Sequence, residues 1–204
     1  MKKDQRFVLI LKTAARVFAD LGYHRASVRD ISRETKLSLA GLYYYFGSKE
    51  DLLHLIQRHC FETLLERLEE GLGRLREPEE RIRFLVATHV GYFTENIDEM
   101  KVMSHEGRSL TGKHRREVRE YKRAYYLLVT GVVKGLLRKR RIRGVRVRSA
   151  VMALFGMMNW IYTWYRPEKD GSARVLADTL AKIYLTGLRP GRVPSSKFRV
   201  PSSG

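Results

Sequence analysis

Residues 27–52 read S-V-R-D-I-S-R-E-T-K-L-S-L-A-G-L-Y-Y-Y-F-G-S-K-E-D-L, and this stretch decides how the N-terminal part of the chain folds. Three serines in it stand where helices can begin, because a serine hydroxyl accepts hydrogen bonds from backbone N–H groups two or three residues further on. Ser27 would begin one short helix, Ser38 a second short helix and Ser48 a longer one. This spacing predicts two short helices joined by a tight turn, which is a helix-turn-helix.

The second of these helices has an apolar side and an aromatic side. Leu42 and Phe46 lie four residues apart and therefore share one face of the helix. Tyr43 and Tyr44 must point elsewhere, because successive residues of a helix are rotated by about 100°. A helix-turn-helix places its second helix in the major groove, so we expect these two tyrosines to face DNA. The alternative is an ordinary helical hairpin with an aromatic core cluster.

The composition is that of a globular chain with a large excess of positive charge. Hydrophobic residues make up 44% of the 204 residues, and no apolar run is long enough for a transmembrane helix. The net charge of +18 indicates a polyanionic partner. Residues 1–60 hold only 11 Lys and Arg against 6 Asp and Glu, so most of the excess lies in residues 61–204.

Sequence motifs of enzymes and metal sites are missing. The six histidines do not occur at the His-Glu-x-x-His spacing, and no phosphate-binding loop, dinucleotide-binding motif or nucleophile elbow is present. Cys60 is the only cysteine, which excludes an internal disulfide and a cysteine-based zinc site. The apolar stretch near the N-terminus is too short for a secretory signal. We therefore expect a cytoplasmic protein that is not an enzyme, has no cofactor and does not bind membranes.

Apolar residues recur at helical spacing along the whole chain, and strands barely feature. Besides the two short helices, the pattern predicts helices at residues 4–21, 48–76, 78–95, 96–106, 113–138, 149–164 and 173–188. The expected fold class is all-α with about nine helices. We expect a three-helix helix-turn-helix domain at residues 1–50 and a helical bundle at 51–189. Residues 190–204 are rich in Pro and Ser and are expected to be a disordered tail.

The first 55 residues contain a specific combination of residues and spacings. It comprises Phe18, Gly22, residues 27–31 and 37–46, Ser48, Lys49 and Leu52. On this pattern the chain resembles the TetR family of bacterial one-component transcription regulators. The resemblance implies a DNA-binding head, a divergent helical body with a ligand cavity, and a homodimer that binds a palindromic operator in double-stranded DNA. It also implies a repressor that responds to a small-molecule effector.

The same resemblance indicates which residues contact DNA. Phosphate contacts fix affinity and register, whereas base contacts choose the sequence. Tyr43 and Tyr44 carry over as DNA contacts, Lys49 as a phosphate contact, and Ser27 as a cap that also meets phosphate. Arg29 is a further candidate for phosphate. The expected DNA-binding residues are Ser27, Arg29, Ser38, Leu39, Ala40, Gly41, Tyr43, Tyr44 and Lys49.

The turn and the helix that follows it depart from the family pattern in two places. Lys36 occupies the turn position where the family usually has glycine, so we expect a left-handed backbone there. Leu39, Ala40 and Gly41 stand where the family often has Lys-Gly-Thr. The threonine hydroxyl is therefore not available for a base contact, and the tip of the helix would make apolar contacts with thymine methyl groups.

The C-terminal half carries a second resemblance. Residues 157–167, M-M-N-W-I-Y-T-W-Y-R-P, and the helix ending in Y-L-T-G-L at Leu188 resemble the FadR/KstR2-type branch of the family. Members of that branch sense acyl-CoA thioesters and repress lipid or sterol catabolism. The resemblance implies a regulator of fatty-acid degradation with an acyl-CoA effector, for which we expect a long acyl chain. The alternative for Trp160 and Trp164 is a place in the core or in the dimer interface.

The chain also contains the two kinds of residue that an acyl-CoA requires. Arginine suits the phosphates, because its planar group donates two parallel hydrogen bonds, and basic clusters occur at 113–123 and 138–148. Apolar residues would line a tunnel for the acyl chain. The alternatives are a solvated surface for the basic clusters and an ordinary core for the apolar residues. The candidate ligand-binding residues are Phe84, Phe93, Met100, Met103, Arg116, Arg119, Arg123, Tyr125, Met157 and Trp160.

Two other functions remain open at this stage. One is a repressor of the same family that senses a drug-like or other apolar small molecule. The other, suggested by the charge alone, is a nonspecific nucleic-acid-binding protein. Such a protein binds all DNA with similar affinity at a given salt concentration, whereas a regulator prefers its operator by about a thousandfold or more.

Overall fold

A computed structural model describes residues 3–188, and within that range it contains helices and connections but no strand. Nine of the eleven helices have five or more residues, as the sequence predicts, and α9 and α10 are single turns. The all-α prediction is confirmed, whereas the predicted tail at 190–204 lies outside the described residues. The helices are α1 (Lys3–Leu21), α2 (Val28–Thr35), α3 (Leu39–Tyr43), α4 (Lys49–Arg74), α5 (Pro78–Glu95), α6 (Ile97–His105), α7 (Gly112–Lys139), α8 (Val147–Asn159), α9 (Ile161–Trp164), α10 (Pro167–Asp170) and α11 (Ala173–Gly187).

We call the predicted helix-turn-helix domain, residues 1–50, the head. Both of its short helices begin at the predicted serines. The Ser27 hydroxyl accepts a hydrogen bond from the Asp30 backbone N–H at 3.3 Å, and the Asp30 carboxylate accepts one from the Ser27 backbone N–H at 2.9 Å. This reciprocal pair is a capping box, with Asp in place of the more usual Glu or Gln. Lys36 has the expected left-handed backbone, with φ of 56°, and turns the chain toward α3. Ser38 then caps α3 by accepting from the Gly41 N–H at 3.0 Å.

The head is held together by apolar side chains that α1, α2 and α3 direct toward one another. Ile10 and Phe18 of α1, Ile31 of α2 and Leu42 of α3 are almost completely buried. Phe46, just after α3, is also buried. Because α3 is anchored through these few apolar side chains, its other side remains open to the surroundings.

Two helices connect the head to the rest of the chain. α4 packs against α1 near its start and against α5 and α7 along its length. Its buried residues, which extend from Leu52 to Leu72, form a continuous apolar side. α6 packs against both α1 and α4. Both helices therefore contact the head as well as the body.

One predicted helix is broken in the structure. The sequence predicts a single helix over 149–164, but α8 ends at Asn159 and α9 begins at Ile161. The break lets Ile161 become buried and brings the Tyr162 hydroxyl within 3.1 Å of His105 Nε2 on α6. Packing against α6, which the local pattern does not reveal, therefore redirects the chain. No helix within residues 3–188 combines the length and apolar character needed to cross a membrane.

Candidate DNA-binding surface and effector cavity

α3 presents its larger side chains on the outer side of the head. Leu39, Tyr43 and Tyr44 are 36%, 50% and 70% exposed, whereas Leu42 has no exposed surface. The two sides of α3 are thus arranged as the sequence predicts, with an apolar, aromatic outer side. Ser38 and Ala40 are also exposed, and Gly41 is partly so. A surface of this kind can enter a groove of DNA while every buried side chain of the head stays in place.

Lys49 forms contacts within the protein that the sequence does not predict. Its ammonium donates hydrogen bonds to the backbone carbonyl oxygens of Tyr23, His24 and Ala26, at 2.9, 3.3 and 3.0 Å. The same Nζ lies 4.6 Å from the centre of the Tyr23 ring. An ammonium group has three N–H donors, and all three are used here. Lys49 therefore ties the loop between α1 and α2 to the start of α4. These contacts speak against a phosphate contact by the same ammonium, and that contact stays a prediction.

Ser27 and Arg29 lie at the start of α2. The Ser27 hydroxyl donates to the Asp30 carboxylate at 2.6 Å, so its single proton is already engaged in the cap. These hydrogen bonds from Ser27 hold the pKa of Asp30 below its ordinary value. Arg29 is exposed, as a phosphate contact requires. Both residues stay predictions as DNA contacts.

A cavity of about 260 Å³ lies in the body, which is the helical bundle predicted at residues 51–189, between α4, α5, α6, α7 and α8. This volume is slightly below the ~300–1,000 Å³ that is usual for pockets that bury a drug-sized ligand. Four predicted ligand residues line it: Phe93, Met100, Met103 and Tyr125. The other lining residues are Phe61, Leu64, His89, Ser104, Lys122, Phe155 and Asn159.

Phe84, which the sequence places in the tunnel, packs elsewhere. Its ring lies against the backbone of α4 at Gly71, where an added Cβ would come within 1.9 Å of the ring. The reason is helical phase. His89 and Phe93 are four residues apart and share the cavity face of α5, whereas Phe84 lies five residues before His89 and points to another side.

Met157 and Trp160 are also outside the cavity. Phe155 and Asn159, four residues apart, occupy the cavity face of α8, so Met157 between them points away. Trp160 follows the end of α8 and is 62% exposed. The alternative of a buried core position is excluded for Trp160, and a place in a dimer interface remains.

The predicted arginines do not reach the cavity either. Arg116, Arg119 and Arg123 are exposed on α7. Arg116 borders a shallow groove along that helix, together with the acidic residues Glu117 and Glu120. Two acids of the segment 113–123 thus lie beside Arg116 and offset part of its positive charge.

Lys122 is the only charged residue, within the described part of the chain, that lines the cavity. Its Nζ lies near the loop at Gly107, 3.3 Å from where a Cβ on that residue would be. The residue as a whole is exposed, yet desolvation around its ammonium lowers its pKa. No carboxylate among residues 3–188 forms an ion pair with it. A cation in this position favours an anionic ligand.

His89 and Tyr125 form a buried polar pair in the cavity wall. The His89 Nδ1 and the Tyr125 hydroxyl are 2.5 Å apart, and His89 is only 1% exposed. Burial lowers the pKa of His89 to about 3, so the ring is neutral, and it raises the pKa of Tyr125. The sequence signal for His89 is a histidine within the apolar stripe of α5, four residues before Phe93.

α6 places the cavity in contact with the head. Met100, Met103 and Ser104 face the cavity. The opposite side of α6 packs against α1, and Val102 shares a groove with Phe18 there. α6 therefore lies between the cavity and α1, the helix that supports the candidate DNA-binding surface.

Comparison with known proteins identifies the family. Residues 75–188 match the family described as "Tetracyclin repressor-like, C-terminal domain", and residues 10–56 match "Bacterial regulatory proteins, tetR family". The chain belongs to the TetR family. As a member it is a DNA-binding, ligand-responsive transcriptional repressor and not an enzyme, which confirms the predicted class of function.

Two curated relatives extend over most of the chain. The fatty acid metabolism regulator protein of Bacillus subtilis is 22% identical over 189 residues, which is 92% of this chain and 97% of that protein. The transcriptional repressor NicS of Pseudomonas putida is 27% identical over 84% of this chain and 81% of its own length.

Solved structures show the same fold. AibR, crystallised in complex with isovaleryl coenzyme A and operator DNA, superposes with a TM-score of 0.77 at 27% identity, covering 87% of this chain and 97% of that chain. PfmR of Thermus thermophilus gives a TM-score of 0.79 at 29% identity, with coverages of 89% and 99%. KstR2 of Mycobacterium tuberculosis, at 19% identity, shares the fold with a TM-score of 0.83 over 94% and 98% of the two chains.

Replacement of either outer tyrosine of α3 should weaken DNA binding without unfolding the head. We expect Tyr43→Ala and Tyr44→Ala each to lower operator affinity about tenfold, while the free energy of unfolding changes by less than ~0.5 kcal/mol because both side chains are exposed. Fluorescence anisotropy with an operator selected from random DNA measures the affinity, and urea unfolding measures stability. The matched control is Tyr45→Ala, which removes a half-buried ring stacked on Phe7 and should reduce stability instead. Unchanged operator affinity in both variants would remove these tyrosines from the DNA-binding surface.

Proposed function

We propose that this protein is a homodimeric repressor of genes for fatty-acid or other lipid degradation, and that an acyl-CoA releases it from a palindromic operator in the cytoplasm. The observation that carries the proposal is the cavity itself, which has mainly apolar walls and one cation, Lys122, that forms no ion pair within residues 3–188. The apolar walls suit an acyl chain, and Lys122 suits the anionic carrier attached to it.

The relatives support the same effector class. AibR was crystallised with isovaleryl coenzyme A and operator DNA, and the Bacillus subtilis relative regulates fatty acid metabolism. The volume of about 260 Å³ favours a short or medium acyl chain over the long chain expected from the sequence. A neutral drug-like effector would leave the ammonium of Lys122 without an anionic partner, so the charge of the cavity speaks against that alternative.

The dimer supports DNA recognition by fixing the distance between two heads. Two recognition helices must reach successive major grooves, about 34–36 Å apart for half-sites one turn apart. Apolar side chains are exposed on α8, α9 and α11, and α8 packs against α11. We place the dimer interface there, which also assigns a role to the two exposed tryptophans. These exposed side chains are Met152, Trp160, Trp164, Val175 and Ile183.

Release from DNA follows from a shift of α6. An acyl chain in the cavity contacts Met100 and Met103 and displaces α6, which carries α1 with it. This changes the distance between the two heads of the dimer. Ligand can shift this equilibrium only if it binds the conformation with low DNA affinity more tightly than the other.

A titration of the operator complex tests this proposal. Butyryl-CoA and octanoyl-CoA should release the protein from its operator, palmitoyl-CoA should act more weakly, and free CoA should have no effect. Lys122→Met should raise the acyl-CoA concentration needed for release about tenfold, through the loss of one charge-assisted interaction. Exposed Arg119→Met on the same helix is the matched control and should leave the titration unchanged. If no acyl-CoA changes the operator affinity, the proposed effector is wrong, whereas the assignment of the protein as a repressor is unaffected.

A further inference from the structure

One buried polar atom in the cavity wall has no hydrogen bond of normal geometry within residues 3–188. Among residues 3–188, the buried side-chain atoms without a hydrogen bond of normal geometry are His54 Nε2, Gln57 Oε1 and His89 Nε2. The first of these lies 3.2 Å from a carboxylate oxygen of Glu117. Of these three residues, only His89 lines the effector cavity. An unpaired buried polar group destabilises a protein by about 1–3 kcal/mol, so a native structure that keeps one in a cavity wall points to a ligand.

The hydrogen bond to Tyr125 determines what this nitrogen offers. His89 is neutral, so one ring nitrogen carries a proton and the other does not. If Nδ1 donated to Tyr125, the phenol proton would lack an acceptor among the described residues, and Nε2 would be unpaired as well. If Tyr125 donates to Nδ1 instead, Nε2 alone is unpaired, and it carries the proton. The second arrangement leaves fewer unsatisfied groups, so Nε2–H is a donor.

Asn159 lines the cavity together with His89. Desolvation, the larger effect, lowers the pKa of His89, whereas the side chain of Asn159 raises it. Asn159 forms no hydrogen bond of normal geometry with Nε2. The donor therefore remains available to a ligand, and its direction is fixed because Tyr125 holds the other side of the ring.

We propose that the His89 Nε2–H donates a hydrogen bond to the carbonyl oxygen of the thioester, so that the cavity reads the thioester group as well as the acyl chain. This inference rests on the proposed acyl-CoA effector. A thioester carbonyl is a neutral acceptor and needs one donor. A carboxylate in the same place would instead bring a negative charge into contact with a neutral ring and the buried hydroxyl of Tyr125, which desolvation disfavours. Tyr125 is the positioning residue that holds His89 in the donor tautomer.

A pair of ligands that differ only at the carbonyl isolates this contact. Octanoyl-CoA contains it, whereas the thioether S-octyl-CoA has a methylene in its place. We expect the wild-type protein, measured by isothermal titration calorimetry, to bind the thioester about ten- to a hundredfold more tightly than the thioether. Octanoate serves as a third ligand and should bind weakly.

Variants of His89 and Tyr125 show whether the preference for the thioester over the thioether depends on His89. His89→Phe keeps a ring but loses the donor, and it should bind both CoA ligands with equal affinity. His89→Gln places an amide N–H near the position of Nε2 and should keep part of the preference. Tyr125→Phe should reduce the preference, because the ring is then free to take the other tautomer. The ¹⁵N spectrum of the His89 ring should show a protonated Nε2 and an unprotonated, hydrogen-bonded Nδ1 in the wild-type protein.

The outcomes separate this inference from the proposal on which it rests. Equal affinity of the wild-type protein for thioester and thioether overturns the role of His89 and leaves the acyl-CoA effector in place. Tight binding of octanoate with no binding of either CoA ligand overturns both, and identifies a free carboxylate as the effector. A preference that survives in His89→Phe, in protein shown to be folded by its thermal transition, places the carbonyl at another donor and overturns the inference.

Discussion

Lowering the pH from 7 to 5 should destabilise the free protein by about 2 kcal/mol through His89 alone. The pKa of this histidine is held near 3 in the fold by burial, whereas in the unfolded chain it is about 6.5. Below pH 6.5 the unfolded chain therefore binds a proton that the folded protein refuses. The free energy of unfolding falls by about 1.4 kcal/mol per pH unit from there until the pH approaches 3.

Urea unfolding at the two pH values measures this effect, and His89→Phe isolates it. Because the variant cannot bind the proton in either state, its pH dependence should be smaller than that of the wild type by about 2 kcal/mol. His54 and His59 also have lowered pKa values, mainly from desolvation, and they contribute in the same direction. They are present in both proteins and cancel in the comparison. An equal loss of stability in wild type and variant would show that His89 can be protonated in the fold.

The head could be predicted from sequence because its structure is encoded locally. Ser27 and Ser38 each cap a helix through an N–H three residues away, and Lys36 turns the chain within one residue. Leu42 and Tyr43 differ in burial because successive residues of α3 point in different directions. Such features depend on neighbours within a few positions, and a single sequence contains all of them.

The cavity could be predicted only in part, because its walls depend on which faces of five helices meet. Composition indicates that apolar residues are available for a tunnel, but it does not fix the phase of each helix. Phe93 and Tyr125 point inward, whereas Phe84 packs on Gly71 and Trp160 is exposed. The unpaired N–H donor of His89 could not be predicted from the sequence at all, because it is recognised only when Tyr125 is known to lie beside the ring.

The pattern of charges along the sequence did not identify the cation that lines the cavity, for a related reason. Counting arginines on α7 selects Arg116, Arg119 and Arg123, but the face of the helix that reaches the cavity carries Lys122 and Tyr125. The density of positive charge in a segment describes its surface. Which single cation enters a cavity is determined by the packing of that helix against its neighbours.

The contacts of Lys49 in the head also depend on packing that the sequence does not show. The variant Lys49→Met tests what these contacts contribute to stability. Methionine keeps an apolar stem beside the Tyr23 ring and removes the ammonium that binds three carbonyl oxygens more than twenty residues earlier in the chain. We expect the free energy of unfolding to fall by about 2 kcal/mol, which corresponds to a melting temperature lower by about 4–8 °C. Lys169→Met is the matched control, because the Lys169 side chain is exposed, and it should leave the melting temperature unchanged.

The salt dependence of operator binding then distinguishes a structural tie from a phosphate contact. Removal of one phosphate-binding cation from a protein reduces the slope of log affinity against log salt by about 0.9, so removal of one from each protomer of a dimer would change it by about 1.8. Since the three donors of Lys49 already bind the loop between α1 and α2, we expect Lys49→Met to leave that slope unchanged while stability falls. A slope reduced by nearly two with an unchanged melting temperature would show instead that Lys49 binds a phosphate group of the DNA. The two readouts move independently because stability is measured without DNA and the slope counts only the ions displaced from it.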